Sequence, residues 1–262
     1  MNEPLLSVDQ INFDPAQHQQ ILQTGCAALG LQLSQYQLTQ FELYSRCLVA
    51  WNAKFNLTAI TDYDEIQIKH FLDCLAGLPV MMEELGADLP LDRPLHLADV
   101  GAGAGFPGLP LKLAAPSLTV TLIDGTGKKI TFLKAMVDAL KLVDINIVQG
   151  RAEELGRQAS HRDQYDLVTA RAVAPLNTLA EYLLPLVSKG GYAVVYKGSS
   201  APQEFIDARK AIDLLGGEVV RFAPVDVPYL EGKRYIVLIR KNRETPRQYP
   251  RGQGLARKQP LG

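Results

Sequence analysis

The sequence predicts an α/β fold: a mostly parallel sheet with an antiparallel edge, preceded by an N-terminal helical extension. Three observations predict it. From Leu95 onward, short apolar runs of strand length alternate with longer stretches that carry apolar residues at helical spacing. The first run passes through Asp99-Val100-Gly101-Ala102-Gly103-Ala104-Gly105-Phe106-Pro107, which is a strand end, a glycine turn and a helix start. Before Leu95 the apolar residues recur only at helical spacing. Strands separated by helices make right-handed crossovers and therefore a parallel sheet.

In chain order, residues 1–20 are polar and glutamine-rich and are expected to be irregular. A helical pattern runs from Ile21 to about Leu31. A second runs from Ser34, a plausible N-cap, to about Lys54, with Trp51 as a core anchor. Asp62 or Asp64 could cap a third, through Ile66, Ile68, Phe71, Leu72 and Leu75; glycine, proline and acidic residues then break the pattern between Gly77 and Pro94. Strands are expected at Leu95–Val100, Thr119–Asp124, Ile145–Gln149, Tyr165–Ala170 and Gly191–Tyr196. Helices are expected after Pro107 to about Ala115, from Lys128 to Leu142, from Pro175 to Val187, and around Glu204 to Leu215. Two late runs, Glu218–Phe222 and Arg234–Ile239, should pair with each other at the sheet edge. The expected divisions are a helical extension over 1–94, a sheet domain over 95–240 and an extended basic tail over 241–262.

Composition narrows the function classes. The hydrophobic fraction of 47% fits a globular chain. No run approaches the roughly 18 apolar residues of a membrane span. The N-terminus lacks a secretory pattern, so a cytoplasmic location and no membrane partner are expected. Three separated cysteines (Cys26, Cys47, Cys74) make neither a disulfide framework nor a zinc spacing, and the four histidines are scattered, so no metal site is expected. The net charge of −1 hides an asymmetry: residues 1–100 carry −9, residues 101–240 carry +3 and residues 241–262 carry +5. The basic tail points to a polyanionic partner or is simply a solvated segment.

Ligands of an open α/β sheet bind outside the carboxyl ends of its strands. Here those ends present the glycine turn, Asp124, Gly150-Arg151-Ala152-Glu153, Arg171 and Lys197. Asp124 lies about 20 residues past the turn, where a carboxylate can accept from two ribose hydroxyls; it can equally be a helix cap. Ala152 is small enough to admit a flat base, and Glu153 either meets the base or answers a helix dipole. A nicotinamide cofactor is the first rival, but its Gly-x-Gly-x-x-Gly pattern fails because Phe106 stands where the third glycine belongs. Tyr229-x-x-x-Lys233 has the spacing of a hydride-transfer pair, yet lies in a turn between Pro228 and Gly232. An acid, a compact glycine turn and a second acid after the next strand fit S-adenosylmethionine better, because that cofactor has no phosphate to cradle.

Several segments together resemble one family. Asp99–Pro110, Asp124–Leu133, Gly150-Arg-Ala-Glu-Glu-Leu155, Ala170-Arg-Ala-Val-Ala-Pro175, Trp51–Ala59, Lys69-His-Phe-x-Asp73 and Tyr249-Pro-Arg251 are similar to the bacterial small-subunit ribosomal RNA methyltransferase G family, also called glucose-inhibited division protein B. The resemblance implies a class I S-adenosylmethionine-dependent methyltransferase (Rossmann-like) that methylates N7 of a guanine in 16S rRNA. Its partner would be the small ribosomal subunit or an assembly intermediate, and the chain is expected to be a monomer. By position, the cofactor residues would be Gly101, Gly103, Phe106, Asp124, Gly125, Thr126, Ala152, Glu153 and Arg171, with Arg171 on the cofactor carboxylate or orienting the guanine. No catalytic residue is assigned. Guanine N7 has a free lone pair, so alignment suffices and no general base is expected. Arg243, Arg247, Arg251, Arg257 and Lys258 would meet RNA phosphates. His70 and Asp73 share a helix face, an arrangement more typical of a packed hydrogen-bond unit. Two other functions share this pattern: a methyltransferase acting on a small molecule or protein, and a non-catalytic RNA-binding or ribosome-assembly protein.

Overall fold

A computed structural model describes residues 15–252 and 254–262, with side chains from residue 20 onward. Among the described residues six helical segments come first. Helix α1 is Pro15–Ala28, α2 is Gln35–Phe55 and α3 is Tyr63–Ile66. A π-helical stretch, Gln67–Leu72, continues into α4, Asp73–Leu75, and α5 is Gly77–Leu85. The sheet region follows: β1 His96–Val100, α6 Gly108–Ala114, β2 Thr119–Asp124, α7 Gly127–Ala139, β3 Ile145–Gln149, α8 Ala152–Leu155 and β4 Tyr165–Arg171. Then come α9 Leu176–Leu183, β5 Val187–Lys197, α10 Ala201–Leu214, β6 Gly217–Val225, β7 Arg234–Lys241 and α11 Leu255–Lys258. Among the described residues no helix is long and apolar enough to cross a membrane.

The seven strands form one sheet in the order β3-β2-β1-β4-β5-β7-β6. β1 pairs in parallel with β2 and β4, β2 with β3, and β4 with β5. β7 runs antiparallel to both β5 and β6, so the late hairpin forms the expected antiparallel edge, with its second strand inserted beside β5. Side chains alternate across the sheet, as the period of two requires. Leu97, Val120, Leu122, Leu167, Val194, Ile236 and Leu238 join one core with α1–α7. Ala98, Val100, Ile123, Val168, Ala170, Ala193, Val195, Val237 and Ile239 join the other, beneath α8–α11. Strand order reverses between β1 and β4, which opens a crevice outside their carboxyl ends.

Local chemistry accounts for the element ends. Ser34 caps α2 with a full capping box: Gln37 N donates to Ser34 Oγ at 3.3 Å and Ser34 N donates to Gln37 Oε1 at 2.8 Å. Asp62 caps α3 through Glu65 N at 2.9 Å. Trp51 lies against the core, stacked on Phe55 and edge-on to Phe132 at 5.9 Å.

Four expectations need correction. α1 begins at Pro15, inside the stretch expected to be irregular; the part of that expectation covering residues 1–14 lies outside the described residues. The supposed break after Gly77 is α5, in which Leu78, Met81 and Met82 are buried at helical spacing. Pro79 sits in its first turn, where a missing N–H costs nothing. α9 ends at Leu183 rather than Val187, because Pro185 cannot continue a helix, and Val187 already pairs with Tyr165. The tail is folded rather than extended. Arg162 Nη1 donates to Tyr249 O at 2.8 Å and its Nη2 to Thr245 O at 2.6 Å, Ala256 of α11 is fully buried, and Thr178 Oγ1 donates to Ala256 O at 3.2 Å.

Candidate functional site

The glycine turn is built at the end of β1. Gly101, Gly103 and Gly105 have φ of 74°, 60° and 95°, which L side chains avoid. Crowding adds a second reason at two of them. A Cβ on Gly101 would stand 2.8 Å from Val173 Cγ2, and one on Gly105 would stand 2.6 Å from Tyr44 Oη. A Cβ on Gly103 would meet nothing closer than 3.7 Å, so that position borders open space.

Two carboxylates hold the turn. Asp124 Oδ2 accepts from Gly103 N at 3.0 Å and Oδ1 accepts from Thr126 N at 2.8 Å, tying the β1 and β2 loops together. Asp124 therefore does not cap α7, whose first turn follows Thr126. Lys129 Nζ stands 3.6 Å from Asp124 Oδ2. Asp99 is fully buried; its Oδ2 accepts from Gly108 N at 2.8 Å, while its Oδ1 has no hydrogen-bond partner in the protein. Burial pushes the Asp99 carboxyl up to about 7, against the pull of the Gly108 amide and Arg171.

A cavity of about 310 Å³ opens beyond the ends of β1, β2 and β3. It brings together Gly101, Asp124, Gly125, Ala152 and Glu153 from the expected set, and adds Val173, Tyr182 and Arg257. Glu153 is buried, and its nearest cation is Arg151 at 3.8 Å. Burial, then the charge of Glu153, raises the Tyr182 hydroxyl, and Arg257 partly offsets this. Gly103 and Thr126 do not line the cavity; their amides donate to Asp124, which does.

Phe106 and Arg171 form a second group, across the turn from that cavity's lining. The Phe106 ring stacks on His70 with centroids 4.4 Å apart and on Tyr44 at 5.5 Å, and the Arg171 guanidinium lies 5.2 Å from its centroid. Tyr44 Oη donates to Ala104 O at 2.5 Å, so α2 grips the turn from below. Arg171 Nη1 donates to Lys69 O at 3.0 Å and Asp73 Oδ2 at 2.6 Å, and Nη2 donates to His70 Nδ1 at 3.1 Å. With Nδ1 accepting, His70 Nε2 carries the hydrogen and donates to Thr58 Oγ1 at 2.9 Å. Burial and then Arg171 lower the His70 imidazole to about 3, so it is neutral at pH 7. Asp73 Oδ1 also accepts from Arg234 Nε at 3.0 Å. The π-helical stretch and the start of α4 thus deliver Lys69, His70 and Asp73 to one guanidinium. Arg171 was expected to serve cofactor or substrate; only its Nε and one Nη2 hydrogen remain for either.

A further cavity, about 360 Å³, lies beyond β4 and β5 and is lined by Asp73, Arg171, Tyr196, Lys197, Arg234 and Tyr235, among others. Lys197 is committed within it, donating to Glu204 and to Ala174 O, both at 2.6 Å. Among the tail cations, Arg251 is spent on Glu181 (Nη2 to Oε2, 2.7 Å) and Arg243 on Asp213 (2.5 Å), whereas Arg247, Arg257 and Lys258 are exposed.

The first cavity is lined by the carboxylates of Asp124 and Glu153 and meets the glycine turn at Gly101. That donor set suits a nucleoside carrying an amino acid. On a sheet of this order, it marks the chain as a class I S-adenosylmethionine-dependent methyltransferase. A family model described as rRNA small subunit methyltransferase G matches residues 37–230. Proteins named Ribosomal RNA small subunit methyltransferase G from Roseiflexus castenholzii, Listeria monocytogenes and Alkaliphilus metalliredigens are 48%, 44% and 42% identical to it. The matches cover 88%, 91% and 92% of this chain and 95%, 97% and 98% of those relatives. The chain belongs to the rRNA small subunit methyltransferase G family.

Proposed function

We propose that this chain methylates N7 of a guanine in 16S rRNA, using S-adenosylmethionine, on the small ribosomal subunit or an assembly intermediate, and that it works as a cytoplasmic monomer. The observation that carries the cofactor part is the cavity that joins Gly101, Asp124, Gly125, Ala152 and Glu153 at three adjacent strand ends. Asp124 keeps lone pairs free for ribose hydroxyls beyond its two amide contacts. Ala152 leaves width for the base, and Glu153 can accept from an exocyclic amino group. Gly101 and Gly103 let the methionine moiety approach the backbone, and Asp124 holds Gly103 and Thr126 in place. Phe106 and Arg171 border the methionine end.

The cofactor supplies an activated methyl group when bound. The chain's own residues then need only align an acceptor, because guanine N7 bears a lone pair at neutral pH. The surroundings fit a site without a general base: His70 is neutral, both its nitrogens are engaged, and it is packed under Phe106. Arg171, fixed by Asp73 and His70, positions Phe106 and the loop after β4. The exposed cations Arg247 and Lys258 are the tail residues free to meet RNA phosphates.

The deciding experiment incubates the protein with methyl-labelled S-adenosylmethionine and small subunits lacking the modification, then maps the labelled nucleotide. Label at N7 of one guanine is expected; label on protein or small molecules alone, or salt-sensitive RNA binding without transfer, would establish one of the two competing functions.

A further inference from the structure

The tail does more than contact solvent. Residues 245–252 and 254–262 fold back onto α8 and α9. Arg251 makes a bidentate pair with the fully buried Glu181, Arg157 Nε donates to Pro250 O at 2.7 Å, and Ala256 is sealed against α9. That anchoring carries Arg257 to the rim of the cavity shared by Asp124, Ala152, Glu153 and Tyr182. Among the described residues the Arg257 guanidinium makes no hydrogen bond or ion pair, although Tyr182 and Glu153 lie beside it. A planar cation held at a cavity mouth without a partner is suited to cover an aromatic face.

We propose that Arg257 is a cofactor-binding residue and that α11 forms the outer wall of the adenosyl half of the pocket. The inference rests on the S-adenosylmethionine reading above. The end of the cavity at which Arg257 stands follows from the sheet. Gly150–Glu153 follow β3, two strands away from the switch point between β1 and β4, so the base lies at the β3 end and the amino-acid end lies toward the switch point. Arg257 shares the β3 end with Glu153 and Tyr182. Its guanidinium therefore lies over the adenine, while Glu153 accepts from the base edge.

The test is calorimetric titration of the full-length protein with two ligands and no RNA. One ligand is S-adenosylmethionine; the other is 5′-methylthioadenosine, which keeps the adenosyl group and lacks the amino-acid end. Arg257→Ala is expected to weaken both by the same factor, about tenfold, with Arg257→Lys in between. The melting temperature of the unliganded protein should stay unchanged, and Lys258→Ala, on the same short helix, should bind like wild type. Equal affinities for Arg257→Ala and wild type overturn the proposal, as does a loss confined to S-adenosylmethionine or one matched by Lys258→Ala. A wild-type protein that binds neither ligand overturns the cofactor reading as well, which separates the two failures.

Discussion

Asp73 neutralises two arginines, Arg171 at the end of β4 and Arg234 at the start of β7, and removing it should be costly. In Asp73→Ala the Arg171 guanidinium keeps only Lys69 O and His70 Nδ1, both uncharged, while Arg234 loses its Nε partner. The Asp73 and Arg171 side chains are 11% and 14% exposed, so water replaces little of what is lost. At the 2.6 Å contact the mean charge separation is about 4 Å; with an effective dielectric near 20 the attraction is about 4 kcal/mol. Breaking a buried pair from one side costs about 3–5 kcal/mol in general, in agreement. Arg234, at 32% exposure, adds less than about 1 kcal/mol. The expected total of about 4 kcal/mol is a large share of a typical domain's stability and lowers the melting temperature by about 8–16 °C. Urea titration followed by the fluorescence of Trp51, the single tryptophan, gives the value directly. A double-mutant cycle with Arg171→Met should return a coupling of at least about 2 kcal/mol. A loss below about 1 kcal/mol, or strict additivity with Arg171→Met, would refute the assignment of Asp73 as the counter-charge that fixes Arg171.

Other outcomes follow from the same geometry. Asp124→Ala releases the Gly103 and Thr126 amides and removes the carboxylate proposed to accept from the ribose, so affinity for S-adenosylmethionine should drop at least tenfold by calorimetry; unchanged affinity removes Asp124 from the site. Gly101→Ala forces a β-carbon into φ 74° and to within 2.8 Å of Val173, costing about 1–2 kcal/mol from the backbone alone and abolishing cofactor binding, as a thermal melt and a titration will report. His70 has a folded-state value near 3 against 6.5 unfolded, so its contribution is whole above pH 6.5 and is lost as pH falls toward 3. At pH 5 the wild type should have lost about 2 kcal/mol relative to pH 7 that His70→Gln does not lose. Asp99 titrates in both proteins and cancels in the difference. Arg251→Ala leaves Glu181 buried without its cation and should destabilise by about 3 kcal/mol in urea titration; a change under 0.5 kcal/mol would mean that the tail is not anchored there.

What was legible in the sequence was local. β2 and β3 run over the residues expected because each is a compact run bounded by turn formers. Gly101, Asp124, Gly125, Ala152 and Glu153 converge because each sits at a strand end, and a parallel sheet gathers strand ends in space. Proline misled in both directions. Pro79 reads as a breaker yet lies in the harmless first turn of α5, and Pro185, inside the helical pattern expected to reach Val187, stops α9. The rest was not legible because it depends on pairings far apart in the chain. Asp73, His70 and Arg171 meet across about a hundred residues, and no local pattern encodes that meeting. Arg257 looked like any surface cation of a basic tail; only the burial of Ala256 and the grip of Arg251 on Glu181 carry it to the cavity.

The placement of β7 between β5 and β6 has a consequence for biosynthesis. β6 is made first but has no strand to pair with until β7 arrives, because β7 supplies both its partner and the link to β5. On the ribosome, β5 must therefore wait with one side of its backbone uncovered through the whole length of α10, β6 and the turn after it. A strand of eleven residues paired only with β4, and including Val194, Val195 and Tyr196, offers its open edge as a template for another chain. A nascent chain halted before Arg234 would carry that open edge permanently, and such fragments should precipitate through β5, whereas completion of β7 closes it.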